Sequence, residues 1–425
     1  MPIDHGRPND ATIDLALIRR PATGDVIGSI LVNPGGPGSS GVDFVRGGFN
    51  LGPEVGERFH LVGLDPRGVG ASAPVNCAER RSDGPLPDHD PDSPAETAAL
   101  DERARRTADA CAIGDDGGLL PHLHSDAVAD DLDLVRAALG DERLNYYGFS
   151  YGTRYGLRHA MRHPDRVGRM VLDGVVDDGD LPALLAMQAD GFDAAFADFD
   201  AACAGLANCP PGGLAATYDE LAAELDARPV GEVGPAELAF ATLRTLYDEA
   251  FRTSYLTALS AAIDGDLAGI ETLSDNFVGG FSYTSYVAVS CTDSDRPSGV
   301  DGWDSLAAEL AARSPRFGAT LANELRVCAH WPIGPSPSDE TGGPDSDSDS
   351  DSAALAGVPL LLLTTTDDPA TPAAGAQAVA ERLPDAALVV ADAQRHTAYG
   401  TGACVRDVVT AYLLTGTAPA VPVTC

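Results

Sequence analysis

A serine held between two glycines, Gly148-Phe149-Ser150-Tyr151-Gly152, follows a strand-like run, Leu144-Asn145-Tyr146-Tyr147, and precedes a segment able to continue as a helix. Glycines at a junction often mean only a tight turn, because they supply backbone angles that other residues avoid. At this spacing they have a second meaning. In a nucleophile elbow, G-x-S-x-G, the serine sits on a strained strand-to-helix turn, and only glycine is small enough two residues to either side. The rest of the chain decides between the two readings.

The first half alternates strand and helix signals. "TIDLALIRR", "GSILVN", "FHLVGLD", "LNYYGFS" and "RMVLDG" read as strands. Between them, Ser125 to Leu139 carries Val128, Leu132, Val135 and Leu139 at helical spacing. This alternation implies a largely parallel sheet with both faces covered. From about Val175 to Arg326 the chain turns alanine-rich, mostly helical and poor in strand signals. Strand signals resume at "VPLLLLTTT" and "AALVVAD", and a closing helix falls near Val405 to Leu414. The expected division is a first half of an α/β core over 1–174, a helical cap over 175–330, a linker over 331–357 and the second half of the core over 358–425. The linker holds "DSDSDSDS", Asp345 to Ser352, which cannot bury itself and reads as a mobile loop. It lacks the glycine and distal glutamate of an EF-hand loop, so it does not read as a calcium site.

The formal net charge is −36, from 64 acidic and 28 basic residues, and every basic residue is an arginine. Such a surface argues against nucleic acid or an anionic membrane as partner. It reads most simply as a solvated acidic shell. No apolar run approaches the ~20 residues of a membrane span. The eight cysteines include no C-x-x-C pair, which leaves zinc and thioredoxin-type readings weak and makes four disulfides in an oxidising compartment the better fit. The opening "MPIDHGRPND" has neither the basic start nor the apolar core of a signal peptide. The cysteines therefore point to secretion, and a cytoplasmic location is the alternative.

A serine nucleophile needs a base, the base needs an orienting acid, and the intermediate needs two N–H donors. In the α/β-hydrolase fold these follow in the order Ser, acid, His, each at a strand end. "LLLLTTTDDPATP" places Asp367 and Asp368 just past a late strand, and "ALVVADAQRHTAYG" places His396 past the next. Ser150, Asp368 and His396 are the expected triad, with Asp368 preferred because it directly precedes Pro369. The N–H of Tyr151 is one expected oxyanion donor. The other comes from the glycine-rich loop "LVNPGGPGSSG", with Gly36 preferred and Gly35 next. That loop matches neither a P-loop nor G-x-G-x-x-G, so a phosphate cradle is not the reading. Neither a metal nor a cofactor is called for.

"VNPGGPGSSG", "LDPRGVGAS", "YYGFSYGTRYG", "RMVLDGVVD", "DDPATP", "CAHWP" and the closing "YLLTGTAPAVPVTC" together resemble the secreted tripeptidyl aminopeptidases of actinomycetes, α/β-hydrolases related to proline iminopeptidases. The resemblance spans nearly the whole chain. It implies a serine exopeptidase that releases short peptides from free N-termini through an acyl-enzyme. It also implies a brace at Thr371 and the disulfides Cys77–Cys111, Cys203–Cys209, Cys291–Cys328 and Cys404–Cys425. The cap is short for that family, and Arg395 stands before His396 where a glycine is usual.

An exopeptidase must hold an α-ammonium group, and a carboxylate in the cap is the natural partner. Asp293 and Asp295, beside Cys291, are candidates, as are Asp177 and Asp178 at the cap entrance; Trp331 either lines the pocket or packs in the core. The alternative function is an esterase or acyl-transfer enzyme using the same triad on a small metabolite. A third reading, a binding protein on a dead hydrolase scaffold, sits badly with an intact set of Ser150, Asp368 and His396. The expected partner is a peptide or small ester; the sequence leaves the oligomeric state open.

Overall fold

The computed structural model describes all of residues 1–425 except 78–83, 116, 178, 280–281, 336–354, 384 and 421, and leaves out the side chains of 278 and 279. The Asp-Ser run and Asp178 lie outside the described residues. Among the described residues eight strands form one sheet: β1 (Leu17–Arg20), β2 (Gly28–Asn33), β3 (Phe59–Leu64), β4 (Leu144–Phe149), β5 (Val167–Asp173), β6 (Leu361–Thr365), β7 (Ala387–Ala391) and β8 (Val423–Thr424). Their spatial order is β1-β3-β2-β4-β5-β6-β7-β8. Only β1 runs antiparallel, against β3.

Parallel strands buried on both faces should be apolar without interruption. β4 is buried at all six positions. Its alternate side chains face opposite layers, as the two-residue period of a strand requires. Leu144 and Tyr146 join the core beneath the helices Ser125–Leu139 and Tyr151–Arg162, whereas Tyr147 and Phe149 join Val405, Val409 and Tyr412 of the helix Ala403–Thr415 on the other face. The helix Ser125–Leu139 has the bounds its periodicity suggested. The His124 side chain caps its N-terminus by accepting from Ala127 N, and Gly140 ends it in the left-handed region at φ 84°.

The first strand is shorter than its sequence pattern suggests. Residues ahead of Leu17 pair back on the N-terminus, with Ile3 N donating to Ala11 O and Ile13 N to Met1 O. Buried Arg67 locks that segment down by donating to the carbonyls of Pro2 and Ile3 while pairing with Asp131. At the far edge, Cys425 N donates to Val390 O and Cys404–Cys425 joins β8 to the closing helix. A strand this short carries no sequence signal of its own.

Between β5 and β6 the described chain is helical and gives the sheet no strand. Its main helices are Leu181–Cys203, Leu214–Ala227, Pro235–Leu246, Arg252–Ile263, Ala268–Gly279, Tyr283–Asp293, Gly299–Arg313 and Gly318–Glu324. Phe192, Phe196 and Phe199 are buried along one side of the first, where Phe196 meets Tyr218 and Phe317 edge-on. The helix Pro94–Gly114 packs on the far end of this layer, where Asp101 takes Arg326 and His330. All eight cysteines are paired, as Cys77–Cys111, Cys203–Cys209, Cys291–Cys328 and Cys404–Cys425. No helix among the described residues is long and apolar enough to cross a membrane.

Candidate active site

β4, β5, β6 and β7 are parallel neighbours, so the loops leaving their carboxyl ends gather along one edge of the sheet. Ser150 comes directly after β4 and sits at φ 51°, ψ −126°, a backbone that a side-chain-bearing residue rarely adopts. The surroundings hold it there. Ser150 N donates to Asp173 O at 2.8 Å. The flanking glycines are required by contact: a Cβ on Gly148 would lie 2.5 Å from Gly152 O, and one on Gly152 would lie 2.7 Å from Asn33 Oδ1. Thus the turn closes onto itself on one side and onto the end of β2 on the other.

Asp368 is buried three residues beyond β6. Its Oδ1 accepts from Ala370 N at 3.0 Å and Thr371 N at 2.8 Å, and its Oδ2 from Thr371 Oγ1 and Thr397 N, both at 3.0 Å. His396 Nδ1 lies 2.9 Å from either oxygen. Thr371 Oγ1 also reaches His396 Nδ1 at 3.3 Å. Asp367 points elsewhere and is exposed. His396 is held by its backbone, whose N–H donates to Tyr247 O at 2.8 Å, and by the Tyr247 ring, which meets the imidazole edge-on at 5.2 Å. Arg395, in the usual place of a glycine, lies within ion-pair range of Asp248.

Asp173, at the end of β5, lies in the stretch "RMVLDGVVD", but nothing in that pattern assigns it a role. It accepts from Ala398 N, Tyr399 N and the Tyr147 hydroxyl at 2.6, 2.8 and 3.1 Å, and so anchors the loop that carries His396. Burial pushes its carboxyl up to about 6 against the opposite pull of those donors and of His396.

Ser150, Tyr151, Gly36 and Thr371 line one pocket, whose remaining wall is largely apolar and comes mostly from the helical segment between β5 and β6. Gly35 N is already committed to Asn33 Oδ1 at 2.9 Å. Among the described residues the N–H groups of Gly36 and Tyr151 have no acceptor within the protein.

The structure does not bring the other candidates to this pocket. Asp293 faces the underside of the elbow. It accepts from Ser125 N and Oγ and from the Tyr151 hydroxyl, and Arg154 lies 3.1 Å away. Burial alone would raise its carboxyl; Arg154 and those donors outweigh it and hold it below the ordinary value. Asp293 is thus a latch between cap and core, already saturated and unable to greet a substrate ion. Asp295 is exposed and uses its backbone carbonyl to accept from Leu181 N. Asp177 pairs with Arg382. Trp331 is buried core, its indole N–H donating to Thr292 Oγ1 at 3.1 Å beside Cys291–Cys328. The pocket contains a different carboxylate, Glu324. Its sequence signal was present but faint: one acid between Leu321 and Leu325, on the face of a helix otherwise built to be buried.

Comparison with known proteins shows the family to which the fold belongs. A family described as "alpha/beta hydrolase fold" matches residues 28–226, and one described as "TAP-like protein" matches residues 314–425. The chain is 34% identical to a protein named "Serine protease Hip1" from Mycobacterium tuberculosis, over 99% of this chain and 85% of that one. It is 32% identical to "Tripeptidyl aminopeptidase" of Streptomyces lividans, over 100% and 82% of the two chains. It is 33% identical to "Carboxylesterase B" of Mycobacterium tuberculosis, over 100% and 85%.

Proposed function

Since this chain belongs to the α/β-hydrolase family that includes the tripeptidyl aminopeptidases of actinomycetes, we propose that it is a serine exopeptidase releasing short peptides from free N-termini. The observation that carries the reading is the Asp368–His396 pair, bonded at 2.9 Å on the sheet edge where Ser150 sits strained at φ 51°. In this reading Asp368 holds the imidazole with its Nδ1 proton inward. The other nitrogen is then free to take the Ser150 proton.

Attack of Ser150 Oγ on the scissile carbonyl builds an oxyanion. The N–H groups of Gly36 and Tyr151, which have no acceptor among the described residues, are the donors assigned to it. His396 then gives the proton to the leaving amine, and a water, activated the same way, attacks the acyl-enzyme ester, releasing the peptide as its free acid and leaving the proton on Ser150 Oγ. Thr371 braces the acid and the base together. The cap, closing over Ser150 with an apolar wall, excludes the interior of a long chain. Four disulfides support export to an oxidising compartment.

An esterase acting on a small metabolite is the second reading, and the 33% identity to a carboxylesterase favours it. A panel of aminoacyl, dipeptidyl and tripeptidyl anilides beside simple esters separates the two. Peptidyl anilides should be the better substrates by kcat/KM. Ser150→Ala and His396→Ala should each abolish turnover, because the members of a triad act as a unit. Turnover of esters alone would replace the peptidase reading with the esterase one. Unchanged turnover in either variant would remove the triad assignment.

A further inference from the structure

A carboxylate taken out of water needs donors around it, and a buried one without them calls for an explanation. Among the described residues the other buried carboxylates are supplied. Asp65 takes Ser40 and two backbone amides, and Glu237 takes the amides of Leu86 and Gly234. Asp126, Asp131 and Asp133 face arginines. Asp173 and Asp368 each hold backbone amides of the loops around His396.

Glu324 is the exception. It is 5% exposed, and among the described residues neither a hydrogen bond nor an ion pair reaches its carboxylate. It is also the only ionisable acid or base among the described residues lining the pocket that holds Ser150, apart from phenols. The groups facing it are those of Tyr247 and Tyr286, both kept neutral by burial, and the Tyr283 hydroxyl donates to its backbone carbonyl. Arg326, two residues on, is committed to Asp101 and Asp304. The pocket therefore offers a single carboxyl group and no competing cation among the described residues.

We propose that Glu324 receives the α-ammonium group of the substrate, so that the distance from this carboxylate to Ser150 sets how many residues are released. The proposal rests on the exopeptidase reading. It replaces Asp293, Asp295 and Asp177, which the fold employs elsewhere. The surrounding wall of Leu181, Leu185, Phe192 and Leu321 suits apolar side chains in the released segment. Burial pushes the Glu324 carboxyl up to about 8, so the empty pocket holds it as the neutral acid near pH 7. An arriving ammonium group stabilises the carboxylate, and the acid's proton leaves to solvent. Binding thus converts a neutral acid and a cation into an ion pair plus one released proton.

The test compares kcat/KM for a free peptidyl anilide and its N-acetylated form in the wild type, Glu324→Gln and Glu324→Asp. Active sites are counted by covalent labelling of Ser150 with a fluorophosphonate. The wild type should prefer the free peptide, and Glu324→Gln should reduce that preference by ~30-fold or more, as expected for loss of one buried charged partner. Glu324→Asp should keep part of it. A wild type that discriminates beside a glutamine variant that discriminates equally overturns the role of Glu324 and leaves the exopeptidase reading standing. A wild type that cleaves both forms alike overturns the exopeptidase reading, and this inference with it. A second measurement avoids the glutamate variants. Calorimetry of a free peptide binding to the Ser150→Ala protein, in buffers of different ionisation heat near pH 7, should show about one proton released, by the linkage of ionisation to binding. The acetylated peptide should release none. Equal proton release for the two overturns the proposal.

Discussion

Glu324 and Asp368 are both buried acids beside the serine pocket, yet their surroundings treat them oppositely. Asp368 has four protein donors besides the imidazole. Glu324 has none among the described residues, and the cost falls on stability. Its carboxyl stands at about 8 in the folded protein against 4.5 for an ordinary glutamate. The folded state keeps a proton that the unfolded chain gives up. The contribution of this group is therefore complete below pH 4.5 and is lost as pH rises from 4.5 through 8. At pH 7 the loss is about 3 kcal/mol, from about 1.4 kcal/mol for each pH unit above the unfolded value. Glu324→Gln should accordingly raise the melting temperature at pH 7 and above, and flatten the fall in stability between pH 4.5 and 8. A residue kept for packing would give a less stable variant, so a drop in melting temperature at pH 7 would count against a functional reason for the acid.

At the scale of elements, the helix Tyr283–Asp293 links two parts of the molecule that the sequence separates widely. Asp293 ends that helix and binds Tyr151, the residue after the nucleophile, together with Ser125 at the start of the helix Ser125–Leu139 and Arg154 within the elbow helix. Cys291–Cys328 sits two residues away and fixes the same helix to the last turns of the cap. Position and orientation of the Tyr151 N–H thus depend on how the cap is seated. Replacing Asp293 with Asn removes a counter-charge of buried Arg154, and breaking a buried pair on one side costs on the order of 3–5 kcal/mol. The expected outcome is a lower melting temperature and a lower kcat for free peptides, acetylated peptides and esters in the same proportion. A change confined to the free-over-acetylated ratio would instead return the substrate-binding role to Asp293.

At the scale of the whole molecule the dominant fact is charge. With 64 acidic residues against 28 arginines, the folded chain packs a net −36 into one body. Part of this is neutralised locally, as where Asp126, Asp130 and Asp133 of the helix Ser125–Leu139 face Arg158 and Arg162 of the helix Tyr151–Arg162 and Arg166 of the turn after it. Much of the remainder repels itself and opposes compaction. Salt shortens the range of that repulsion from about 10 Å at 0.1 M to about 3 Å at 1 M. Thermal unfolding followed from low salt to molar sodium chloride should show a rising melting temperature. A flat or falling curve would mean that the paired clusters, which salt weakens, outweigh the unpaired surface.

The sequence by itself determined the features that are local to one strand end. The serine elbow, the acid before Pro369 and His396 each sit within a few residues of a strand whose apolar run is unmistakable, and the order of the three is set by the direction of the chain. The helix Ser125–Leu139 was legible for the same reason, since its periodicity and Gly140 lie within one window. What only the tertiary structure decided is which carboxylates are spent. Asp293 and Tyr151 are 142 residues apart, and Asp173 holds amides 225 and 226 residues away. No local pattern records such pairings, because an acid on a helix face reads the same whether a donor or an empty pocket lies opposite. Asp293, conspicuous beside a cysteine, was consumed by the fold. Glu324, one acid among 64, was left without a partner among the described residues, on the wall of the pocket that holds Ser150.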